Sequence, residues 1–167
     1  MNDELTRQDL KKMREELAYR QLELMPQQLE EVKRTRAFGD LSENYEYKTA
    51  KQELNRNKSR IRYLERMIKT AHIISDDSSS DTVGLYDRVT VYMEEDEEEQ
   101  VIQVVTTVRA DPIKGFISKE SPFGKAVLGA RIGDKVTVVV SEDYEYTCEI
   151  RNIEKGSDDG SAPLMQY

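Results

Sequence analysis

YKTAKQELNRNKSRIRYLERMIKTA, residues 47–71, decides how the first half of the chain folds. Tyr47, Ala50, Leu54, Asn57, Ile61, Leu64, Ile68 and Ala71 recur at alternating spacings of three and four. That is the a/d repeat of a helix packed along another helix. Asn57 is its polar member and reads as a register device. Upstream, Leu10, Met13, Leu17 and Leu24, then Leu29 and Val32 beyond Pro26, form a second apolar stripe. Thr6 with Asp9 three residues on can cap that helix. Pro26 should bend it, because proline lacks an N–H and crowds the preceding turn. Phe38-Gly39-Asp40-Leu41 interrupts both patterns. The two helices therefore turn back as an antiparallel hairpin, a rod about 45 Å long for helices of about 30 residues.

Working outward, the polar stretch DDSSSDT at 76–82 marks a break, and beyond it the period changes to two. Val89, Val91 and Met93 alternate with polar neighbours, as do Val136, Val138 and Val140. Val101–Val105 is a short apolar run, and Tyr144, Tyr146, Cys148 and Ile150 share one strand face. Ser121-Pro122 opens a short helix that Gly129 closes. The expected fold class is α+β: an N-terminal antiparallel coiled-coil hairpin (1–75), a linker (76–82), an antiparallel sheet domain with one short helix (83–155), and a disordered tail (156–167).

Charged residues make up 35% and hydrophobic residues 37% of 167 positions, with a mean hydropathy of −0.75. Apolar runs fall short of the roughly 18–20 residues that span a bilayer, so no membrane association is expected. The opening MNDELTRQDL lacks a basic start and an apolar stretch, so no secretory leader is expected and the compartment reads as cytoplasmic. One cysteine and one histidine exclude a Cys-based or two-His metal site, and Cys148 and His72 read as structural. Net charge is −8, split as +3 over residues 1–75 and −11 over 76–167. An acidic protein repels free nucleic acid at long range, whereas its mildly basic half can meet RNA once a partner delivers it.

At the turn of the hairpin, Asp40 and Glu43 stand three residues apart. They fit a capping box for the second helix. They also fit a pair of hard oxygen ligands that completes a Mg²⁺ site half-built by another protein. Arg34, Arg36, Lys48 and Lys51 flank them, either as a solvated helix face or as a phosphate-contacting patch. The acidic run at 94–99 reads as a solvated hairpin loop.

GDLSENYEY (Gly39–Tyr47) resembles the signature of the bacterial Gre transcript-cleavage factors. The resemblance continues through RIRYLERMI (Arg60–Ile68) and returns in ADPIKGFISKESPFGKAVLGARIGDKV (Ala110–Val136), covering about residues 5–155 and leaning towards GreA. It implies an FKBP-like C-terminal domain that docks on the rim of the RNA polymerase secondary channel. The docking residues would be Glu120, Ser121, Pro122 and Phe123. The hairpin would enter that channel as a monomeric factor and carry Asp40, Ser42 and Glu43 to the active centre. There Asp40 and Glu43 would help hold the second Mg²⁺, with Arg34, Arg36, Lys48 and Lys51 near the nascent RNA 3′ end. The factor is then no enzyme itself; it stimulates cleavage of backtracked RNA by the polymerase.

The resemblance has departures. Tyr45 stands where the family usually has Ala, Met25 where Arg is frequent, and Arg109 where Glu is common. The tail beyond about Lys155 has no counterpart in the pattern. An inhibitory relative that plugs the channel without cleavage is the alternative reading. A prolyl isomerase, suggested by the fold, wants an aromatic pocket that the C-terminal half does not supply; a plain coiled-coil adaptor is the remaining reading.

Overall fold

The computed structural model describes residues 3–39 and 44–166. The chain divides into two units, one built on Leu10–His72 and the other on Glu4–Asp9 together with the chain from Ile73 onward. The division falls inside a helix, so Glu4–Asp9 belong to the unit that holds the sheet rather than to the hairpin.

In the first unit, α1 (Arg7–Tyr19) runs through a π turn (Arg20–Leu24) into α2 (Met25–Arg36), and α3 (Tyr45–Thr70) returns. The disturbance expected at Pro26 takes the form of that π turn. Met25 N–H donates to the Arg20 carbonyl five residues back. A wider turn accommodates the missing proline N–H and moves its ring off the carbonyl it would otherwise strike. The extra residue also rotates the stripe. Leu24, Met25, Gln28, Val32 and Thr35 are the less exposed positions, while Leu29, expected in the seam, is 48% exposed. On α3 the buried stripe is Ala50, Leu54, Asn57, Arg60, Ile61, Leu64 and Met67. Met67 takes the place expected for Ile68, the drift of a 3.6-residue helix against a seven-residue repeat.

Asn57 is 2% exposed and has a specific partner. Its Nδ2 donates to the Arg20 carbonyl at the π turn (3.2 Å), and its Oδ1 accepts from Arg20 Nη1 (2.9 Å). Next to it Arg60 donates to both Glu16 oxygens (2.7 and 3.2 Å), and Arg20 Nε donates to Glu16 as well (2.9 Å). The polar seam position thus serves the backbone of the irregular turn. Register follows, because these partners exist at one level of α1 only.

The second unit is a five-stranded sheet in the order β5-β4-β3-β7-β6, with β3 (Arg88–Met93), β4 (Glu98–Val105), β5 (Phe116–Ser118), β6 (Lys135–Val139) and β7 (Glu145–Glu154). A separate two-stranded ribbon pairs β1 (Glu4–Leu5) with β2 (His72–Ile73). The expected wholly antiparallel sheet is corrected at one edge. β5 runs parallel to β4, Gln103 opposite Phe116 and Val105 opposite Ser118. A parallel partner needs a crossover rather than a hairpin. The connection from Thr106 to Gly115 supplies it through two short 3₁₀ turns, at Thr107–Arg109 and Pro112–Lys114. The inward faces read from the sequence are buried: Val89, Val91 and Met93 on β3, Val138 on β6, Cys148 and Ile150 on β7. Val140 and Tyr144 lie beyond the strand ends and are exposed. Burial pushes the Cys148 thiol pKa up, which keeps it protonated and inert. Helix α4 (Pro122–Val127) packs beside the sheet with Val127 buried.

Described residues of both the linker and the tail make specific contacts. Lys155 Nζ lies 2.6–3.0 Å from Ser78 Oγ, the Ser79 and Thr82 carbonyls and the buried Asp87 carboxylate, which share its three N–H groups. That single ammonium contacts Ser78, Ser79 and Thr82 of the 76–82 stretch. The expected disordered tail carries Ala162 (2% exposed) and Leu164 (8%) into the unit, and Met165 N–H donates to the Val108 carbonyl at 2.7 Å. Arg109 organises it. The guanidinium is fully buried and reaches Asp9 (3.0 Å), both oxygens of Asp158 (2.7 and 2.9 Å) and the Ala162 carbonyl (2.5 Å). Asp9 also accepts from Thr106 Oγ1 (2.7 Å) while completing the expected cap with Thr6 (2.9 and 3.2 Å). Burial alone would lower the Arg109 pKa, but the bonds to Asp158 and Asp9 hold it above its ordinary value. Tyr86 lies under the guanidinium at 5.4 Å, and its phenol pKa is raised by burial and then by the Asp9 charge.

Candidate functional site

Two regions carry the residues singled out by sequence: the hairpin turn and the start of α4. At the turn, Asp40, Ser42 and Glu43 lie outside the described residues. The structure does describe the residues on either side of them. α2 ends at Arg36, Phe38 N–H donates to the Thr35 carbonyl (3.1 Å), and Gly39 has φ +111°, a conformation that suits glycine.

α3 starts at Tyr45, and its N-cap is Asn44: Oδ1 accepts from Tyr47 N–H at 3.0 Å. The described cap of α3 is therefore Asn44, and the reading of Asp40 as N-cap with Glu43 as its capping-box partner falls on residues outside the described ones. The same Asn44 side chain donates through Nδ2 to the Thr35 carbonyl at 2.6 Å, tying the end of α2 to the start of α3. Asn44 is the residue that sequence reasoning passed over. Its signal was present, since Asn is among the strongest N-caps and Tyr47 stands three residues on.

The four basic residues are exposed but not equivalent. Arg34 is held by both Glu31 oxygens (2.9 and 2.6 Å), with Glu46 at 3.8 Å, and its guanidinium lies 5.2 Å from the Phe38 ring centroid. The bond to Arg34 lowers the Glu31 pKa and raises that of Arg34, so both stay charged and their charges largely cancel. Lys48 Nζ sits 5.4 Å from the Tyr45 centroid, and Lys51 Nζ lies 5.9 Å from that of Tyr47. Arg36, Lys48 and Lys51 are exposed cations on the same stretch.

In the second region, Glu120 is exposed, with Lys119 at 3.5 Å and Lys125 at 3.9 Å. Ser121 is the N-cap of α4, as expected. Its Oγ accepts from Gly124 N–H (3.0 Å) and donates to the Ser118 carbonyl (2.7 Å). Pro122 opens the helix on the exposed side. Phe123 turns partly inward, edge-to-face with Tyr146 at 6.2 Å and 71°, and packs against the core. Gly124 has its own reason: a Cβ there would meet the Ser118 carbonyl oxygen at 2.0 Å. Glu120 and Pro122 thus form an exposed, rigid edge, Ser121 holds it, and Phe123 supports it from behind.

The helical and sheet halves each match a protein family. Residues 4–73 match "Transcription elongation factor, N-terminal" (GreA_GreB_N), and residues 77–155 match "Transcription elongation factor, GreA/GreB, C-term". The chain is 44% identical over 137 residues to transcription elongation factor GreA of Thermoanaerobacter pseudethanolicus, covering 81% of this chain and 87% of that one. It is 42% identical over 135 residues to GreA of Geobacillus kaustophilus (80% and 85% covered) and 40% identical over 134 residues to GreA of Bacillus subtilis (80% and 85%). With both halves matched in order, and with identity of this level over most of each relative, the chain belongs to the GreA/GreB family of transcription elongation factors.

Proposed function

We propose that this elongation factor stimulates RNA polymerase to cleave the 3′ end of backtracked RNA, with the hairpin turn supplying carboxylates to the polymerase active centre. The observation that carries the reading is at Asn44. It caps α3 and braces α2, so Asp40 and Glu43 are not needed to cap that helix. Two hard carboxylates fit Mg²⁺, which keeps several waters and is bound through one or two carboxylates plus substrate phosphates. Asp40 and Glu43 would hold it jointly with the polymerase. Bound there, Mg²⁺ supplies charge stabilisation and water activation for phosphodiester hydrolysis.

The chain's own residues do the rest. Arg36, Lys48 and Lys51 neutralise RNA phosphates near the 3′ end. Asn44 sets the position of the turn. The edge formed by Glu120 and Pro122 docks on the polymerase outside the secondary channel, through which the hairpin passes.

The test is addition of the chain to halted elongation complexes in Mg²⁺ buffer. RNA should shorten from its 3′ end and extension should resume when nucleotides are supplied. A factor that binds the complex, leaves RNA length unchanged and blocks extension would be the inhibitory relative instead.

Docking has a separate test. Ser121 is a cap, so its substitution mixes stability with binding, and Glu120 and Pro122 are the cleaner probes. Glu120→Lys and Pro122→Gly should each weaken polymerase binding about ten-fold, or roughly 1.4 kcal/mol. Circular dichroism should stay unchanged. Unaltered affinity in both variants would remove this edge from the interface.

A further inference from the structure

Three stretches far apart in the chain meet at one cation. The buried Arg109 guanidinium is held by Asp9 from the first turn of α1, by Asp158 and by the Ala162 carbonyl. Asp158 also accepts from Thr6 Oγ1 at 3.1 Å, and its N–H donates to Asp76 at 2.7 Å. The tail therefore engages both members of the Thr6–Asp9 cap, Thr6 directly and Asp9 through Arg109. All of these residues belong to the sheet unit.

The tail is held differently from the rest of that unit. The chain is fixed up to Gly156, whose N–H donates to Asp87 at 2.8 Å; a Cβ there would meet the Tyr86 carbonyl oxygen at 2.6 Å. Beyond it, residues 157–166 form neither helix nor strand. They are held by the Asp158 and Ala162 bonds, by the buried side chains of Ala162 and Leu164, and by the bond from Met165 N–H to the Val108 carbonyl. A polar cleft of about 610 Å³, with Thr6, Gln8, Asp76 and Asp158 in its lining, opens beside this segment and brings water to it. Segments with few buried contacts and no ladder open at lower free energy than core strands.

We infer that the tail is a latch on the start of α1. Docked, it keeps the Thr6–Asp9 cap closed against Arg109; released, the cap opens with it while the sheet stays folded. Release takes Asp158 and the Ala162 carbonyl from Arg109 together and lets water reach the guanidinium. Asp9 then faces a solvated cation, and ion pairs open to water hold little. Thr6 Oγ1 loses its acceptor in the same step. The inference goes beyond the proposed function and does not depend on it.

Amide hydrogen exchange of the full-length chain, read by nuclear magnetic resonance at several low denaturant concentrations, tests the latch. The Thr6, Asp9 and Met165 amides are all hydrogen-bonded, as is that of Ile150 in β7. In the wild type the first three should share one protection factor, lower than that of Ile150 and with the shallow denaturant dependence of a local opening. Leu164→Ala alters the far end of the tail and none of the hydrogen bonds around Arg109. It should lower the protection of all three by one common factor, about ten-fold or more. Asp158→Asn keeps the shape, removes the charge and should lower the same three together. If Met165 protection falls in Leu164→Ala while Thr6 and Asp9 keep theirs, the tail opens alone and the latch is overturned. Wild-type protection of Thr6 and Asp9 equal to that of Ile150 overturns it as well, because no latch-open state then precedes global unfolding. Should Leu164→Ala fail to fold, the wild-type protection pattern and Asp158→Asn decide by the same criteria.

Discussion

The double variant Asp40→Asn, Glu43→Gln is expected to lose factor-stimulated RNA cleavage by orders of magnitude while its thermal unfolding and its polymerase binding stay at wild-type values. Both substitutions preserve size and hydrogen-bonding capacity and remove the anionic oxygens that a hard divalent cation prefers. Stability should not respond, because the α3 cap belongs to Asn44, whose Oδ1 holds Tyr47 N–H at 3.0 Å. Asn44→Ala gives the complementary result. It should cost about 1 kcal/mol as a lost cap, and it should reduce cleavage by loosening the turn with both carboxylates intact. Raising Mg²⁺ should recover part of the activity of the double variant, since mass action then offsets lost affinity. Wild-type cleavage by the double variant would end the metal-ligand reading.

Arg109→Ala should have the largest effect on stability. The substitution leaves Asp9 and Asp158, 0% and 3% exposed, without the cation between them. Removing one partner of a buried ion pair costs about 3–5 kcal/mol. For a unit of roughly 100 residues, that lowers the melting midpoint by on the order of 10 °C or more. Ending the chain after Gly156 should cost a comparable amount, because it removes Asp158, the Ala162 carbonyl and the buried Ala162 and Leu164 side chains. Denaturant unfolding followed by circular dichroism measures both. A loss below about 1 kcal/mol in each would mean that the pairs behave like solvent-exposed ones. A fragment limited to residues 83–155 lacks both carboxylates and should not unfold cooperatively.

The sequence was readable where one periodicity governs a long element. The α3 stripe, the inward faces of β3 and β7, the Thr6–Asp9 box and the Ser121 cap depend on near neighbours and are found where spacing put them, except that Met67 replaces Ile68 in the stripe and Tyr144 lies beyond β7. Leu29 was misplaced because the π turn adds a residue of phase, and proline announces a disturbance without specifying its form. Helix α3 begins later than its first acidic residue suggested, because several capping residues compete in Asp40–Asn44 and only geometry picks one. The tail was read as disordered from its Gly, Ser and Asp content. Its order comes from Arg109, about fifty residues away, and no local pattern connects them. Two departures from the family pattern, Arg109 and the extra C-terminal residues, thereby explain each other.

The cluster around Arg109 has a consequence for biosynthesis. Asp9 is separated from Arg109 by 100 positions, and Thr6 Oγ1 bonds Asp158 across 152. On the ribosome the hairpin segment emerges early and depends on contacts that are close in sequence. The sheet unit must wait, because its closing partners lie 100 and 152 positions apart in the chain. Closure of so long a loop is slow, and until Asp158 appears the nascent sheet holds a cation with half of its counter-charge. The factor should therefore become resistant to proteases in two stages: the helical segment during elongation, and the sheet unit only after its last strand and tail have left the exit tunnel.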